Sequence, residues 1–311
     1  MLIRGQNSRD PVLGRLHALI EASPDLKEAA LLYGAMLPVL QNAPSHVAAV
    51  PLTRGQAREK MEQGLPLLFD LDLDLDVDAV QGIMISLAGS VEAVWRRNRP
   101  HHWQPWGGVL HESEEAARSI RLALEAGKLD VTELIARVSA GEWAHAAATS
   151  RDQGLDPDLV WTLAQNALKP ALREWRGQLA LSVEGVSWNK GNCYVCGAVA
   201  TLGELQENDQ VKHLRCGACG ADWKYPRLQC AYCSNEDHRK QHYFAEEGKE
   251  ETTRVETCDA CNGYLKVISS FSSTLPELLL IEDLATLHLD YMAQERGYVK
   301  HSSEFKVQSS E

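Results

Sequence analysis

The sequence predicts a multidomain α+β protein, in which a helical N-terminal domain precedes two tandem cysteine-rich modules and a C-terminal helix. Residues 1–185 contain no cysteine and carry repeated helix-capping signals. All eight cysteines follow, each within a CxxC motif, and strand-like runs separate the motifs. We therefore expect three domains, at residues 1–185, 186–228 and 229–311.

The N-terminal domain is predicted to be a helical bundle. Ser23-Pro24 and Asp156-Pro157 each place a capping side chain before a proline, which the first turn of a helix tolerates. Asp130 with Glu133 resembles a capping box at the start of another helix. Apolar residues recur with helical spacing after each signal. Pro170 is expected to kink or split the last helix, because proline lacks a backbone donor.

The stretch Asp70–Asp78 alternates aspartate with apolar residues and resembles a calcium-binding loop at first sight. An EF-hand loop needs glycine at its sixth position and glutamate at its twelfth, where this stretch has Leu75 and Gln81. The alternation instead predicts an extended segment whose apolar side chains share one side.

A second unusual stretch, Trp95–Gly108, lies between predicted helices and contains His101, His102, Trp103 and Trp106. These side chains suit a docking or ligand-binding patch. We favour a loop that packs its tryptophans onto the bundle, because tryptophan is an effective amphipathic packing residue.

The charge of the chain argues against nucleic-acid binding. There are 31 lysines and arginines against 43 acidic residues, giving a net charge of −12. Phosphate-backbone binding depends on clustered basic residues, which this composition does not favour. The N-terminus has no apolar signal-peptide core, and no long uninterrupted apolar stretch follows. We expect a cytoplasmic protein without membrane insertion.

Because thiols stay reduced in the cytoplasm, the cysteines are predicted to be metal ligands. Two intervening residues let both sulfurs of a tight turn face one ion, and two such turns complete a tetrahedral four-cysteine site. A residue that tolerates positive φ follows each motif, namely Gly197, Gly220, Ser234 and Asn262. The eight candidate ligands are Cys193, Cys196, Cys216, Cys219, Cys230, Cys233, Cys258 and Cys261.

The four motifs can pair in three ways. Two strand-like runs around a turn separate the first motif from the second, and the third from the fourth, as in rubredoxin-like and zinc-ribbon modules. CGACGADWK and CDACNGYLK also resemble two copies of one unit. Both observations predict sequential pairing, with the first two motifs in one site and the last two in the other. Nested pairing and iron–sulfur clusters remain as alternatives, although CxxCxGxG and CxxCxxC runs are missing.

The chain after the last motif is predicted to form a closing strand over residues 263–271. Residues 275–298 are predicted to be an apolar segment that passes into a helix. His288 lies there and is expected to be a packing or surface residue, because thiolates already complete both sites.

The motifs CYVCG, LRCGACGADWKYPRLQCAYC and ETCDACNGYLKV, followed by EDLATLHLDYMA, resemble the formate dehydrogenase accessory proteins called FdhE. The resemblance spans most of the chain and is most specific in the cysteine-rich half. It implies a cytoplasmic, non-catalytic maturation factor that binds the catalytic subunit of formate dehydrogenase. It also implies two metal ions in rubredoxin-like sites, with iron favoured over zinc.

Two other functions are kept as alternatives. A nucleic-acid-binding zinc-ribbon protein would need a basic, aromatic face, whereas acids outnumber basic residues in residues 186–311. A rubredoxin-type electron carrier would not need the long helical domain. A metal-dependent enzyme is disfavoured, because closed four-ligand sites leave no position for water or substrate.

Overall fold

The computed structural model describes residues 10–44, 47–98 and 109–301. Helices dominate the described residues before 180, and strands dominate those from 202 to 270. The α-helices are α1 (Pro11–Ala22), α2 (Lys27–Asn42), α3 (Arg54–Glu62), α4 (Val77–Asn98), α5 (Val109–Glu125), α6 (Val131–Ala140), α7 (Trp143–Asp152), α8 (Pro157–Leu179), α9 (Leu279–Ala285) and α10 (Leu287–Glu295). The strands are β1 (Leu202–Gln206), β2 (Val211–Arg215), β3 (Asp222–Lys224), β4 (Gln241–Phe244), β5 (Thr253–Cys258) and β6 (Gly263–Ser270).

The described residues group into two compact units. The helical unit contains the described parts of 1–48 and 74–171, and the sheet unit contains those of 49–73 and 172–311. The predicted multidomain α+β class, with a helical N-terminal region, two four-cysteine groups on a sheet and final helices, is confirmed. The three predicted domain boundaries stay a prediction.

The caps of the helical unit explain where several helices begin. Asp130 Oδ1 accepts a hydrogen bond from Glu133 N at 2.9 Å, and Asp156 Oδ1 accepts one from Leu159 N at 2.7 Å. Both caps are the ones that the sequence predicts. Helix α1 begins in the same way at Asp10, which precedes Pro11, but the sequence analysis overlooked that signal. Fully buried apolar side chains fill the core of this unit, among them Leu16, Leu37, Met84, Leu87, Ile120, Leu124 and Leu163.

Two predictions about prolines are wrong in part. Ser23 makes no side-chain capping bond, and Pro24 begins a short 3₁₀ turn rather than α2, which begins at Lys27. Pro170 lies inside α8, which continues to Leu179 and is therefore not split. Proline removes one donor from a long helix, and the remaining hydrogen bonds of α8 carry it through.

The alternating stretch Asp70–Asp78 behaves as predicted over most of its length. Leu71, Leu73 and Leu75 are half-buried, whereas the aspartates between them are exposed. The extended part ends at Asp76, whose Oδ1 accepts a hydrogen bond from Ala79 N at 2.9 Å as α4 begins. Of Trp95–Gly108, only the helical backbone up to residue 98 is described, and the candidate patch formed by His101, His102, Trp103 and Trp106 lies outside the described residues.

Among the described helices, one passes a length-and-composition test for spanning a membrane. It is Val77–Val94, of which 44% is buried within the protein. Core helices of water-soluble proteins pass the same test, so this stretch is weak support for a membrane span.

The sheet unit is built on one six-stranded sheet, with strand order β3-β2-β1-β6-β5-β4. The two predicted hairpins are present, because β1 pairs antiparallel with β2 and β4 pairs antiparallel with β5. The two modules join where β1 lies parallel to β6, with Gly203 opposite Val267. In the repeat, β1, β2 and β3 correspond to β4, β5 and β6. The first and third strands of a module run in the same direction, and both modules have the same orientation in the sheet. The first strand of one module, β1, is therefore parallel to the third strand of the other, β6.

The C-terminal segment forms two helices where the sequence predicts one. Thr286 separates α9 from α10, and its Oγ1 donates to Glu282 O at 2.7 Å. Helix α10 packs its Leu289 and Ala293 against Val255 and Tyr264 of the second module. The final helices therefore complete the second module.

Candidate metal centres

The structure brings the eight cysteines together as two groups of four. Within each group, the four sulfurs lie within 4.8 Å of one another. The first group is Cys193, Cys196, Cys216 and Cys219, and the second is Cys230, Cys233, Cys258 and Cys261. This is the sequential grouping that the hairpins and the repeat predict, and it differs from the nested alternative. We call the two groups the first centre and the second centre.

The sulfur spacing within both centres fits a tetrahedral ion. In the first centre, Cys193 Sγ lies 3.5 Å from Cys219 Sγ, and the Sγ atoms of Cys196 and Cys216 are 3.6 Å apart. In the second, the Cys230–Cys261 and Cys233–Cys258 separations are 3.8 and 3.7 Å. Four sulfurs around a zinc ion lie about 3.8 Å apart, given a metal–sulfur distance of about 2.3 Å. Each centre can therefore hold one metal ion.

The turns after the CxxC motifs adopt the predicted backbone conformation. The φ angles of Gly197, Gly220, Ser234 and Asn262 are 77°, 76°, 57° and 54°. Three of these turns share a hydrogen bond from this residue's N–H to the carbonyl of the first cysteine, at 2.9 to 3.0 Å. Positive φ closes the turn, so both sulfurs face inward.

Backbone amides also point at the sulfurs. Val195 N lies 3.4 Å from Cys193 Sγ, and Tyr232 N lies 3.4 Å from Cys230 Sγ. Such N–H groups stabilise thiolate over thiol, which suits a site that binds a cation. The equivalent placement in both centres is what an internal duplication predicts.

The first centre is enclosed on several sides. Cys193, Cys216 and Cys219 are all 0% exposed. Residues 65–69 cross the first motif, where Leu67 N donates to Tyr194 O at 2.8 Å and Leu68 N donates to Val195 O at 3.0 Å. We call residues 65–69 the strap.

Other elements of the sheet unit hold the strap and close the first centre. Lys60, on α3, donates to the carbonyls of Leu67 and Phe69 in the strap. From the end of α8, Arg176 donates to Gly220 O at 3.1 Å. The sequence analysis missed α3 and the strap, although Thr53 and Gln56 form a capping box that signals where α3 begins.

The second centre is more open. Cys230 and Cys258 are buried, Cys261 is half-buried and Cys233 is exposed. On its two motifs, Ser234, Asp259, Ala260 and Asn262 are exposed as well, whereas no residue of the first centre's motifs is.

The electrostatics of the two centres are alike, because each contains thiols whose pKa is raised and one thiol, Cys216 or Cys233, whose pKa is lowered. Burial raises the pKa of Cys193, and burial raises the pKa of Cys230 to about 11. For Cys233 the effect of burial is outweighed by hydrogen bonds from the Asn235 amide and the neighbouring thiols, which lower its pKa. Metal ions bind the thiolate form, so loading either centre releases protons.

His288 lies outside both groups of cysteines, and the sequence predicts that it is not a metal ligand. Its Nε2 is 3.2 Å from Glu246 Oε2, and its side chain is 41% exposed. It is not among the residues of either centre. This agrees with the predicted surface role.

Comparisons with known proteins agree with this architecture. The profile of the family described as FdhE, C-terminal domain, matches residues 228–306, which contain the second centre. Protein FdhE homologs from Aquifex aeolicus and Stutzerimonas stutzeri are 30% and 34% identical over 159 and 160 residues. These matches cover 50% of this chain and 54% and 51% of those relatives, so the chain matches about half of their length.

A solved structure extends the similarity to nearly the whole chain. The crystal structure of the FdhE protein from Pseudomonas aeruginosa superimposes with a TM-score of 0.59 at 25% sequence identity. The match covers 96% of this chain and 95% of that one. With the family profile on the second module and the sequence relatives, this likeness over nearly the whole chain shows that the protein is similar to FdhE proteins in both sequence and fold.

Proposed function

We propose that this chain is a cytoplasmic accessory factor required for formate dehydrogenase activity, which binds the catalytic subunit and carries two metal ions, each held by four cysteines. The observation that carries the proposal is the pair of four-cysteine centres, each with tetrahedral sulfur spacing, in a chain that is similar to FdhE proteins over nearly its whole length. The proposed partner, the catalytic subunit of formate dehydrogenase, is inferred from the resemblance of the cysteine motifs to the formate dehydrogenase accessory proteins.

The chemistry of the centres supports a role without catalysis. Each centre offers four thiols, which fill the four positions of a tetrahedral ion and leave none for water or substrate. An ion bound there would supply cross-linking of two turns and, if it is iron, a one-electron couple. We propose iron rather than zinc, while thiolate sites accept both and availability decides between them.

The proposal is tested in cells that lack the gene for this chain. We expect formate dehydrogenase activity to be lost, and to be restored by the wild-type gene. Restoration should fail with Cys219→Ser or Cys261→Ser, each of which removes one thiol from one centre. Ala260→Ser is the matched control, because Ala260 is exposed on the fourth motif and offers no metal ligand. Full activity without the gene would overturn the proposal.

Oxygen-free affinity purification of the tagged chain tests the partner and the metal together. We expect the catalytic subunit of formate dehydrogenase to co-purify, and metal analysis to find iron. A preparation that restores activity equally when loaded with zinc would assign the metals a structural role. Recovery of the chain without any formate dehydrogenase subunit would contradict the proposed partner.

A further inference from the structure

We propose that the two centres have different roles: the first is a closed structural site, and the second is the site at which a metal ion enters, leaves and is exchanged, through Cys233. The inference rests on the proposed function only in taking both centres to be metal-loaded. It assigns the exchangeable site to the four cysteines of the second centre, and it makes Cys233 the ligand that is exposed to solvent.

Exposure separates the two centres first. Three of the four cysteines of the first centre are fully buried, whereas Cys233 of the second is exposed and Cys261 is half-buried. The tips of the second centre's motifs are also exposed, at Ser234 and Asn262, while the equivalent Gly197 and Gly220 are buried. A dissolved ligand can therefore reach the second centre without any rearrangement of the fold.

The cover over the first centre is a second, independent difference. The strap hydrogen-bonds to the first motif at Tyr194 and Val195. Pro276 lies so near Gly220 that a Cβ there would be 2.7 Å from the proline's Cβ. Within the described parts of the chain, no segment hydrogen-bonds across the third motif in the way that the strap crosses the first. Residues 298–301 contact the second centre on the side of its fourth motif, where Val299 N donates to Asn262 O at 2.8 Å, and they leave Cys233 exposed. Access to the first centre thus requires local opening.

The second centre is nevertheless well held on its inner side. Tyr225 donates its hydroxyl proton to Cys230 O at 2.9 Å, and Tyr232 donates to Tyr264 O at 3.0 Å. Cys258 ends the paired strand β5. Cys261 lies two residues before β6, so three ligands are held by the sheet and its packing, whereas Cys233 is the exposed ligand. A site of this kind can release one ligand and keep the other three in place.

The incoming group is a soft donor, such as a thiol or a nitrogen-containing chelator. In exchange with a thiol, the bond from Cys233 Sγ to the ion breaks and a bond from the incoming sulfur forms. The proton of the incoming thiol passes to Cys233, and the oxidation state of the ion does not change. The candidate cargo is a thiophilic ion of the iron or zinc type.

Release of zinc from the zinc-loaded full chain tests the inference. With a chromogenic chelator in excess, we expect two phases of equal amplitude, the faster at least about tenfold faster because it needs no local opening. Cys261→Ser should remove the fast phase and Cys219→Ser the slow one. Brief alkylation with iodoacetamide, read by mass spectrometry, should modify Cys233 before any cysteine of the first centre.

The strap provides a variant that leaves all cysteines in place. Lys60→Met removes the two hydrogen bonds from Lys60 to the strap and should speed the slow phase several-fold, by about the factor that one or two lost hydrogen bonds allow. The fast phase should not change. Lys128→Met is the matched control, since Lys128 is an exposed lysine of the helical unit.

A single release phase, or alkylation of Cys196 as fast as that of Cys233, would overturn the inference. If both ions leave at the same rate and the chain still restores formate dehydrogenase activity, the inference fails and the proposed function holds. If the ions leave at different rates but cells that lack the chain keep their formate dehydrogenase activity, the inference holds and the proposed function fails. The two claims therefore fail separately.

Discussion

Substitution of a single cysteine can test whether the two centres bind their metal ions independently. Cys219 and Cys261 close equivalent motifs, one in each centre. We predict that Cys219→Ser lowers the bound metal from two ions per chain to one, because three thiolates hold an ion much more weakly than four. Elemental analysis with thiol titration measures this. Cys261→Ser should give the same stoichiometry from the other centre, and loss of both ions from either variant would contradict the grouping.

A buried carboxylate stabilises the first module. Glu204 is 0% exposed and accepts hydrogen bonds from Ser270 Oγ at 2.8 Å and Thr274 N at 2.9 Å, and also from the Arg215 guanidinium. Burial would raise the pKa of Glu204, but these hydrogen bonds and the charge of Arg215 hold it below its usual value. The carboxylate thus ties β1 to β2 and to the chain after β6.

We predict that Glu204→Gln lowers the free energy of unfolding by about 1–3 kcal/mol, because the buried Arg215 guanidinium loses its charged hydrogen-bond acceptor and keeps only one charged partner, the Asp222 carboxylate, 3.7 Å from its Nε. Denaturant titration of the metal-loaded protein measures the change. Glu207→Gln is the control, since Glu207 is exposed in the turn after β1. A loss equal to that of the control would mean that the network does not stabilise the module.

Among the elements, the junction of β1 and β6 is the feature that unites the two modules. The backbones approach closely at Gly203, where an added Cβ would lie 2.9 Å from Val267 Cγ2. A side chain there would push the strands apart or displace Val267. The parallel junction therefore requires glycine at this position.

Gly203→Ala should destabilise the sheet unit by about 1–3 kcal/mol, as overpacking usually does. Gly177→Ala is the matched control, because a Cβ at this exposed position of α8 meets nothing within 4 Å. That control should be neutral or gain about 0.5–1 kcal/mol from the better helix propensity of alanine. Equal effects of the two substitutions, measured by thermal unfolding, would argue against a tight junction.

Element by element, local signals predicted much of the fold. The caps at Asp130 and Asp156, the two hairpins and the positive-φ turns all depend on residues close together in the sequence. The prediction of one C-terminal helix missed the break at Thr286, and Ser23 was given a capping role that it does not have. At Thr286 the buried hydroxyl bonds to the carbonyls of Glu282 and Asp283, and such local bonds compete with a continuous helix.

For the whole molecule, the two compact units predict two responses to metal removal. Binding of an ion to a four-cysteine site is coupled to folding, so chelation should destabilise the sheet unit. The helical unit has its own core and no cysteine, and its transition should stay where it is. Far-UV circular dichroism at a helical wavelength follows mainly the helical unit, and hydrogen exchange read by mass spectrometry on peptides that contain Trp188 and Trp223 follows the core of the sheet unit.

Heating the protein with and without chelator is the measurement. We expect the chelator to make the sheet-unit peptides exchange at lower temperature, while most of the helical signal keeps its midpoint. Coincident shifts of both signals would show that the two units unfold as one.

The amino-acid pattern is enough to predict the helical first half, the CxxC turns and the hairpins, and it favours the sequential grouping of the cysteines. Short-range spacing and a duplicated unit are enough for these. Contacts seen only in the folded chain place both modules on one sheet and lay the strap across the first centre, while Cys233 of the second centre stays exposed. Gly203 with Val267, and Leu67 with Tyr194, are contacts between residues far apart in the chain. Such contacts form when backbone donors and apolar side chains find partners during folding. A local periodic pattern does not predict which distant residues will become those partners.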